Sequence, residues 1–369
     1  MSLMFDSISN LIISGVCTCV PENKIEIETY IDAFGEENVK KFQELTGVKR
    51  IRHCLSNETA SDLGFNAAKA LINKLNIDTE SIGILVFLSQ KPDNRFPATA
   101  YDLCGRLGLP DDVFCLDISL ACSGFVYALN LTSRLLQTSS KNRALLITAD
   151  TSHRTLNEED KTVIMLFGDS GSAVSLEKAS DAHSETMNFA FKTDGARASS
   201  IITPAGAFKN LDVVNQKFVW GDGILRSYYN THMKGMAVFN FSITDVPLLF
   251  NDFFHYTNTT TSDYSSFAIH QANLYMLKQI SRKAKIPFDK MLISIHEFGN
   301  NSSNSIPLLW CDHWGKEPAQ SEEVRKKVFI SGFGAGLSWA CGSVNLLNAA
   351  ILPIIELKST NYEQERETS

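Results

Sequence analysis

The chain has no pair of cysteines at metal-binding spacing. Its eight cysteines, at 17, 19, 54, 104, 115, 122, 311 and 341, include no CxxC, and Cys17/Cys19 lack a second ligand pair to complete a zinc site. No metal and no bound cofactor are therefore expected. No stretch approaches the roughly 18 consecutive apolar residues of a membrane-spanning helix, so no membrane partner is expected either. The first residues hold no basic region followed by an apolar run, which leaves no export signal to read. Free thiols without such a signal fit a reducing cytoplasm. Basic blocks and basic-plus-aromatic repeats are also missing, and the net charge is -7, which argues against wholesale binding of nucleic acid.

What remains is a globular composition, 44% hydrophobic and 20% charged over 369 residues. That length suits two domains or one large duplicated unit. The most telling stretch is LDISLACSGFVYALNLTSRLL, residues 116–136. Leu116, Ile118 and Leu120 alternate as in a buried strand, while Phe125, Val126, Leu129 and Leu136 recur at helical spacing. Cys122 stands at the junction. There, free backbone N–H groups and the helix dipole favour negative charge, hence the nucleophilic thiolate. Gly124 leaves room for close approach. A small buried residue at a strand end explains a lone cysteine equally well.

Along the rest of the chain, strands are predicted at Leu11–Cys19, Ile82–Leu88 and Ala144–Ala149, and helices at Ile25–Leu45, Thr59–Leu75 and Thr99–Leu107. Residues 162–176 read as strand, FGDSGSA turn, strand. The polar stretch EKASDAHSE marks a boundary, dividing the chain into halves at 1–178 and 179–369. The second half holds strands near Phe189, up to His270, at Met291–Phe298 and at Val328–Ile330. Its helices are at Phe239–His255, Asn273–Lys285 and Ser302–Trp314, and residues 358–369 read as a polar, frayed end. Such alternation indicates α/β layers with mixed sheets.

His270 and Asn300 share the context of Cys122: each is predicted to end an apolar strand just ahead of a helix, the sheet edge where α/β proteins bind ligands. A thiolate attacks an acyl carbon. A neutral histidine and an asparagine amide donate hydrogen bonds to an oxygen gaining negative charge. The bland alternatives are a structural histidine, with His153, His296 and His313 as competitors, a helix-capping Asn300, a tight turn at Gly332, Gly334 and Gly336, and a hairpin at GDSGSA. The order Cys, His, Asn also fits papain-like cysteine proteases. Their cysteine, however, lies near the mature N-terminus in a CGSCW-type context, and here the context is ACSGF deep in the chain.

In ordered segments spanning nearly the whole chain, the sequence resembles β-ketoacyl-ACP synthase III, of the thiolase superfamily. The segments are LTGVKRIRH (45–53), NETASDLGFNAA (57–68), RFPATA (95–100), ACSGFVYAL (121–129), LFGDSGSAV (166–174), MKGMAVFNFSITDVP (233–247), IHQANLYML (269–277), FGNNSSNSIPLL (298–309) and GFGAGLSWA (332–340). The resemblance implies duplicated βαβαβαββ halves stacked as five αβαβα layers, in a homodimer. It implies decarboxylative Claisen condensation: acyl transfer to Cys122, then attack by a malonyl thioester enolate that His270 and Asn300 stabilise. It gives the oxyanion hole to the backbone N–H groups of Cys122 and Ala335. Phe96 would cross the dimer to shape the partner's acyl pocket. Substrates would be acyl-CoA or acyl-ACP, and Lys278, Arg282, Lys283 and Lys285 would dock the acidic acyl carrier protein.

Several positions depart from the family pattern. Tyr275 replaces the arginine usual after HQAN-Leu, Asn301 replaces a small residue or threonine, and Lys41 or Phe42 stands where a tryptophan stacks on the coenzyme A adenine. Leu88-Ser89-Gln90-Lys91 replaces a threonine-rich run, and residues 205–232 are rich in aromatics suited to a pocket wall or lid. These changes suit a specialised lipid or secondary-metabolite synthase as well as fatty-acid synthesis. They also leave open an acyltransferase to an alcohol or amine that uses the same cysteine without decarboxylation.

Overall fold

Two β-sheets organise the chain in the computed structural model, which describes residues 4–179, 186–316 and 322–358. The first sheet runs in the order Leu11–Pro21, Ser170–Lys178, Arg143–Asp150, Ile82–Leu88, Phe114–Ile118, and the short strands Ala350–Ile351 and Ile355–Leu357 add to the outer side of Leu11–Pro21. All seven residues of Ile82–Leu88 are buried, as an uninterrupted apolar run between parallel neighbours requires. The second sheet runs Met4–Ile8, Met187–Thr193, Ser338–Val344, Val328–Gly334, Ser266–Ile269. The terminal strands cross between sheets: Met4–Ile8 completes the second, and residues 350–357 complete the first.

Helices Gly124–Thr138 and Ser305–Trp314 fill the space between the sheets. Phe125 and Trp310 meet there edge to face at 5.5 Å, both fully buried. Each such side chain contributes about 2–3 kcal/mol of hydrophobic stabilisation. Helix Ala60–Leu75 covers the outside of the first sheet and starts on a capping box, in which Thr59 N–H donates to Asp62 Oδ2 at 2.8 Å. Helix Gly235–Tyr256 covers the outside of the second sheet, with Leu274–Ala284 packed on it. Alternating layers of helix and sheet are the thiolase arrangement.

Several local expectations fail. Residues 25–45 are not one helix but a short strand and turn followed by helices Ile31–Phe34 and Glu36–Thr46, because Gly35 adopts a φ of 83°. Met291–Phe298 is no strand. Met291 makes a single bridge to Phe267, and Ile295–Phe298 forms one helical turn. Residues 161–166 form turns, and GDSGSA is not a hairpin but the entry to the single strand Ser170–Lys178. Val163–Leu166 share a buried cluster with Ile27, Val39, Val48, Ile51 and Ile295, a long-range packing that periodicity cannot encode. The boundary stretch falls partly, and the frayed end almost wholly, outside the described residues. Among the described residues no helix is long and apolar enough to cross a membrane, and no cluster of three His, Cys, Asp or Glu side chains is placed to hold a metal.

Candidate active site

Cys122 lies two residues before helix Gly124–Thr138, at the end of the chain leaving strand Phe114–Ile118. Gly124 is required there: a Cβ would stand 2.8 Å from Leu88 Cδ1 and 3.0 Å from Leu120 Cβ. Across the layer, Gly332 and Gly334 belong to strand Val328–Gly334, not to a turn. Their missing side chains let this strand lie against Cys122 and Ser123, since a Cβ on Gly332 would meet Cys122 O at 2.5 Å. The turn itself is Ala335–Leu337.

His270 follows strand Ser266–Ile269, as predicted, and is 2% exposed. Its Nδ1 pairs with Ser305 Oγ at 3.1 Å, and its ring meets Phe333 edge to face. That pairing leaves Nε2 for the cavity. Burial pushes its pKa down to about 3, so the ring is neutral. Asn300 is positioned differently from the prediction. It follows a helical turn and is held by two backbone bonds, Asn300 N–H to Leu166 O at 2.8 Å and Gly168 N–H to Asn300 O at 3.0 Å. Ser302 N–H donates to Asn300 Oδ1 at 2.9 Å, which leaves the Nδ2 amide as the group able to donate elsewhere. Ser302 has a φ of 49°, which turns the chain back toward Cys122.

Cys122, His270, Asn300 and Ala335 line one cavity of about 110 Å³, with Ser302, Met233, Met276, Phe333 and Val163 among its walls. The competing histidines lie elsewhere. His153 is paired with Asp169 and stacks on His53, His296 bonds Gly47 O, and His313 bonds Ile293. Two effects oppose each other at Cys122: the helix end favours the thiolate and burial favours the thiol. Burial pushes the Cys122 thiol up to about 12, against a hydrogen bond with Ser302 Oγ at 3.9 Å, and the nearby Asp150 charge adds to the rise. Burial is the largest influence on this thiol.

The remaining predicted residues separate. Lys278, Arg282, Lys283 and Lys285 are all exposed on and just after helix Leu274–Ala284. Phe96 is 88% exposed, outside the cavity. Within 205–232 the aromatics pack on one another, Phe218 on Trp220 at 4.9 Å and Trp220 on His232 at 3.7 Å, and Arg226 anchors the segment to buried Asp160 at 2.7 Å. From this region only Thr231 lines the cavity of Cys122, together with flanking Ile201 and Met233. Ser302 and Ser305 were missed, although FGNNSSNSIP had drawn attention to the segment. A serine's partners depend on which strand end it faces, and nothing in local sequence states that.

The sequence matches the family 3-oxoacyl-[acyl-carrier-protein (ACP)] synthase III over residues 116–195 and that family's C-terminal region over residues 254–346. A putative 3-oxoacyl-[acyl-carrier-protein] synthase 3 from Campylobacter jejuni is 30% identical over 90% of this chain and 93% of its own length. A β-ketoacyl-[acyl-carrier-protein] synthase III from Lactococcus lactis is 29% identical over 90% of this chain and 98% of its own. The crystal structure of a 3-oxoacyl-(acyl-carrier protein) synthase from Burkholderia xenovorans superposes with a TM-score of 0.88 at 30% identity, covering 96% of this chain and 99% of the other.

Proposed function

The chain belongs to the 3-oxoacyl-[acyl-carrier-protein] synthase III family of condensing enzymes, and from that membership we propose how its own residues carry the reaction. The observation that supports the reading is the convergence of Cys122, His270 and Asn300 on one cavity. Cys122 Sγ attacks the carbonyl carbon of an acyl thioester, the carrier thiol leaves with the proton, and the acyl group stays on sulfur. The backbone N–H groups of Cys122 and Ala335 hold the oxyanion. A malonyl thioester then enters. His270 Nε2–H and Asn300 Nδ2–H donate to its carbonyl oxygen, the carboxylate leaves as CO₂, and the resulting enolate attacks the acyl carbon. Cys122 is released and takes up a proton. A histidine that is neutral at physiological pH suits this step, because it donates a hydrogen bond without trapping the departing carboxylate as an ion pair.

Two further parts of the reading rest on surface features. The substrates are carried by acyl carrier protein or coenzyme A, and the exposed Lys278, Arg282, Lys283 and Lys285 beside the cavity attract the acidic carrier. A second copy docks on the open edge strand Phe114–Ile118, where Phe114 is 52% exposed.

Intact-protein mass measurement after incubation with acyl-CoA and acyl-ACP donors tests the first half-reaction. A mass gain of one acyl group, absent in Cys122→Ala, is the expected result. Release of CO₂ from malonyl thioester tests the second. Acyl transfer without any CO₂ release favours the non-decarboxylating acyltransferase instead.

A further inference from the structure

The wall of the catalytic cavity is apolar or neutral except at one residue. Among the described residues that line it, Lys91 alone is a Lys, Arg, Asp or Glu. Its backbone is pinned, Gln90 N–H donating to Asp150 Oδ1 at 2.8 Å and Lys91 N–H to Ser89 Oγ at 2.9 Å. The side chain is half-buried, and burial lowers its pKa while the Asp150 charge opposes that shift. Asp150 influences the ammonium through space. Its carboxylate oxygens accept instead from Gln90 N–H, from Ser89 Oγ at 3.2 Å and from Ser303 Oγ at 3.1 Å. Among the described residues the Lys91 ammonium is in no contact ion pair. A partly desolvated cation without a contact partner weakens the fold, and a bound anion relieves that cost.

A second cavity, of about 700 Å³, shares Gln90, Lys91, Thr155, Ile201, Thr231 and Ala335 with the first. Arg95 and Arg154 line it beside Lys91. Its one acidic side chain, Asp93, is already bound by Ser61 Oγ at 2.5 Å and Thr59 Oγ1 at 3.0 Å. A chain attached to Cys122 and running this way passes an ammonium and enters a chamber of net positive charge. A plain alkyl chain would strip water from Lys91 and offer nothing in return.

We propose that Lys91 selects acyl thioesters whose chain carries a carboxylate, so that half-thioesters of dicarboxylic acids acylate Cys122 in preference to plain fatty acyl groups. The inference rests on the acyl-Cys122 reading above. The chemistry is unchanged: the Cys122 Sγ–carbon bond forms, the bond from that carbon to the carrier sulfur breaks, the thiol proton leaves with the carrier, and the distal carboxylate stays intact beside Lys91.

The test compares donors of equal carbon number, succinyl-CoA against butyryl-CoA and glutaryl-CoA against pentanoyl-CoA, following Cys122 adduct formation by intact mass over time. Wild type is expected to react at least ten times faster with a dicarboxylic donor. Lys91→Met is expected to reverse that ratio and Lys91→Arg to keep it, with urea midpoints confirming that both variants fold. Equal or faster reaction of wild type with the neutral donors overturns the selection while leaving the acyl-enzyme reading in place. So does a ratio that Lys91→Met leaves unchanged. Failure of all four donors to modify Cys122 in folded protein overturns both.

Discussion

Gly334 lies face to face with Cys122: a methyl group on Gly334 would stand 2.9 Å from Cys122 Cβ and 3.3 Å from its sulfur. The second sheet thus shapes the floor beneath a cysteine that the first sheet delivers. Gly334→Ala is expected to lower the rate of Cys122 acylation by 100-fold or more, because the sulfur must shift or the strand must retreat. Overpacking of this kind costs about 1–3 kcal/mol of stability. The loss of stability should shrink in a Cys122→Gly background, since the clash is with that side chain. Equal losses in both backgrounds would remove Cys122 as the cause.

With its thiol pushed up to about 12, Cys122 is protonated throughout the neutral range. Only the thiolate alkylates, so its reaction with iodoacetamide should rise about tenfold per pH unit from 6 upward, with no plateau below pH 9. Rates measured by adduct mass check this. A plateau at or below pH 8 would show that the helix end wins over burial after all.

The Ser305 hydroxyl touches His270 Nδ1, and the proposed donation from Nε2–H requires Ser305 to donate there. Its hydroxyl has two acceptors within reach, Ser302 O at 3.0 Å and His270 Nδ1 at 3.1 Å, and only donation to Nδ1 leaves a hydrogen on Nε2. Ser305→Ala is expected to slow decarboxylation of malonyl thioester by about 10–100-fold while leaving Cys122 acylation nearly unchanged. Burial holds His270 at about 3, so it is neutral from about pH 5 upward, and the decarboxylation profile should show no ionisation of this histidine between pH 5 and 8. An acid limb near pH 6.5 that disappears in His270→Asn would contradict the assignment.

The basic face after His270 should act on the carrier and not on the chemistry. Charge reversal at Lys278 and Arg282, both exposed, is expected to raise KM for an ACP-borne substrate several-fold and to flatten its dependence on salt. The same variant should leave kcat and the KM for the corresponding CoA thioester within twofold. Equal effects on both substrates would mean that the helix is merely structural.

Much of this protein is written locally. The buried strand Ile82–Leu88, the capped helix Ala60–Leu75 and the strand–turn–helix around Cys122 follow from apolar period and capping residues, which neighbouring residues decide. Cys122, His270 and Asn300, which line one cavity, stand out in the sequence for the same reason, as chemistry-bearing residues set in recognisable motifs. What the tertiary structure alone decided are relations between segments far apart in sequence. Asn300 is aimed by backbone bonds to Leu166 and Gly168, not by a strand of its own. Ser305 reaches His270 only because helix Ser305–Trp314 enters between the sheets. The half-buried Cys122 has its thiol pushed up because desolvation depends on everything that packs around a group, here layers from both halves of the chain, whereas a helix end depends only on the next few residues.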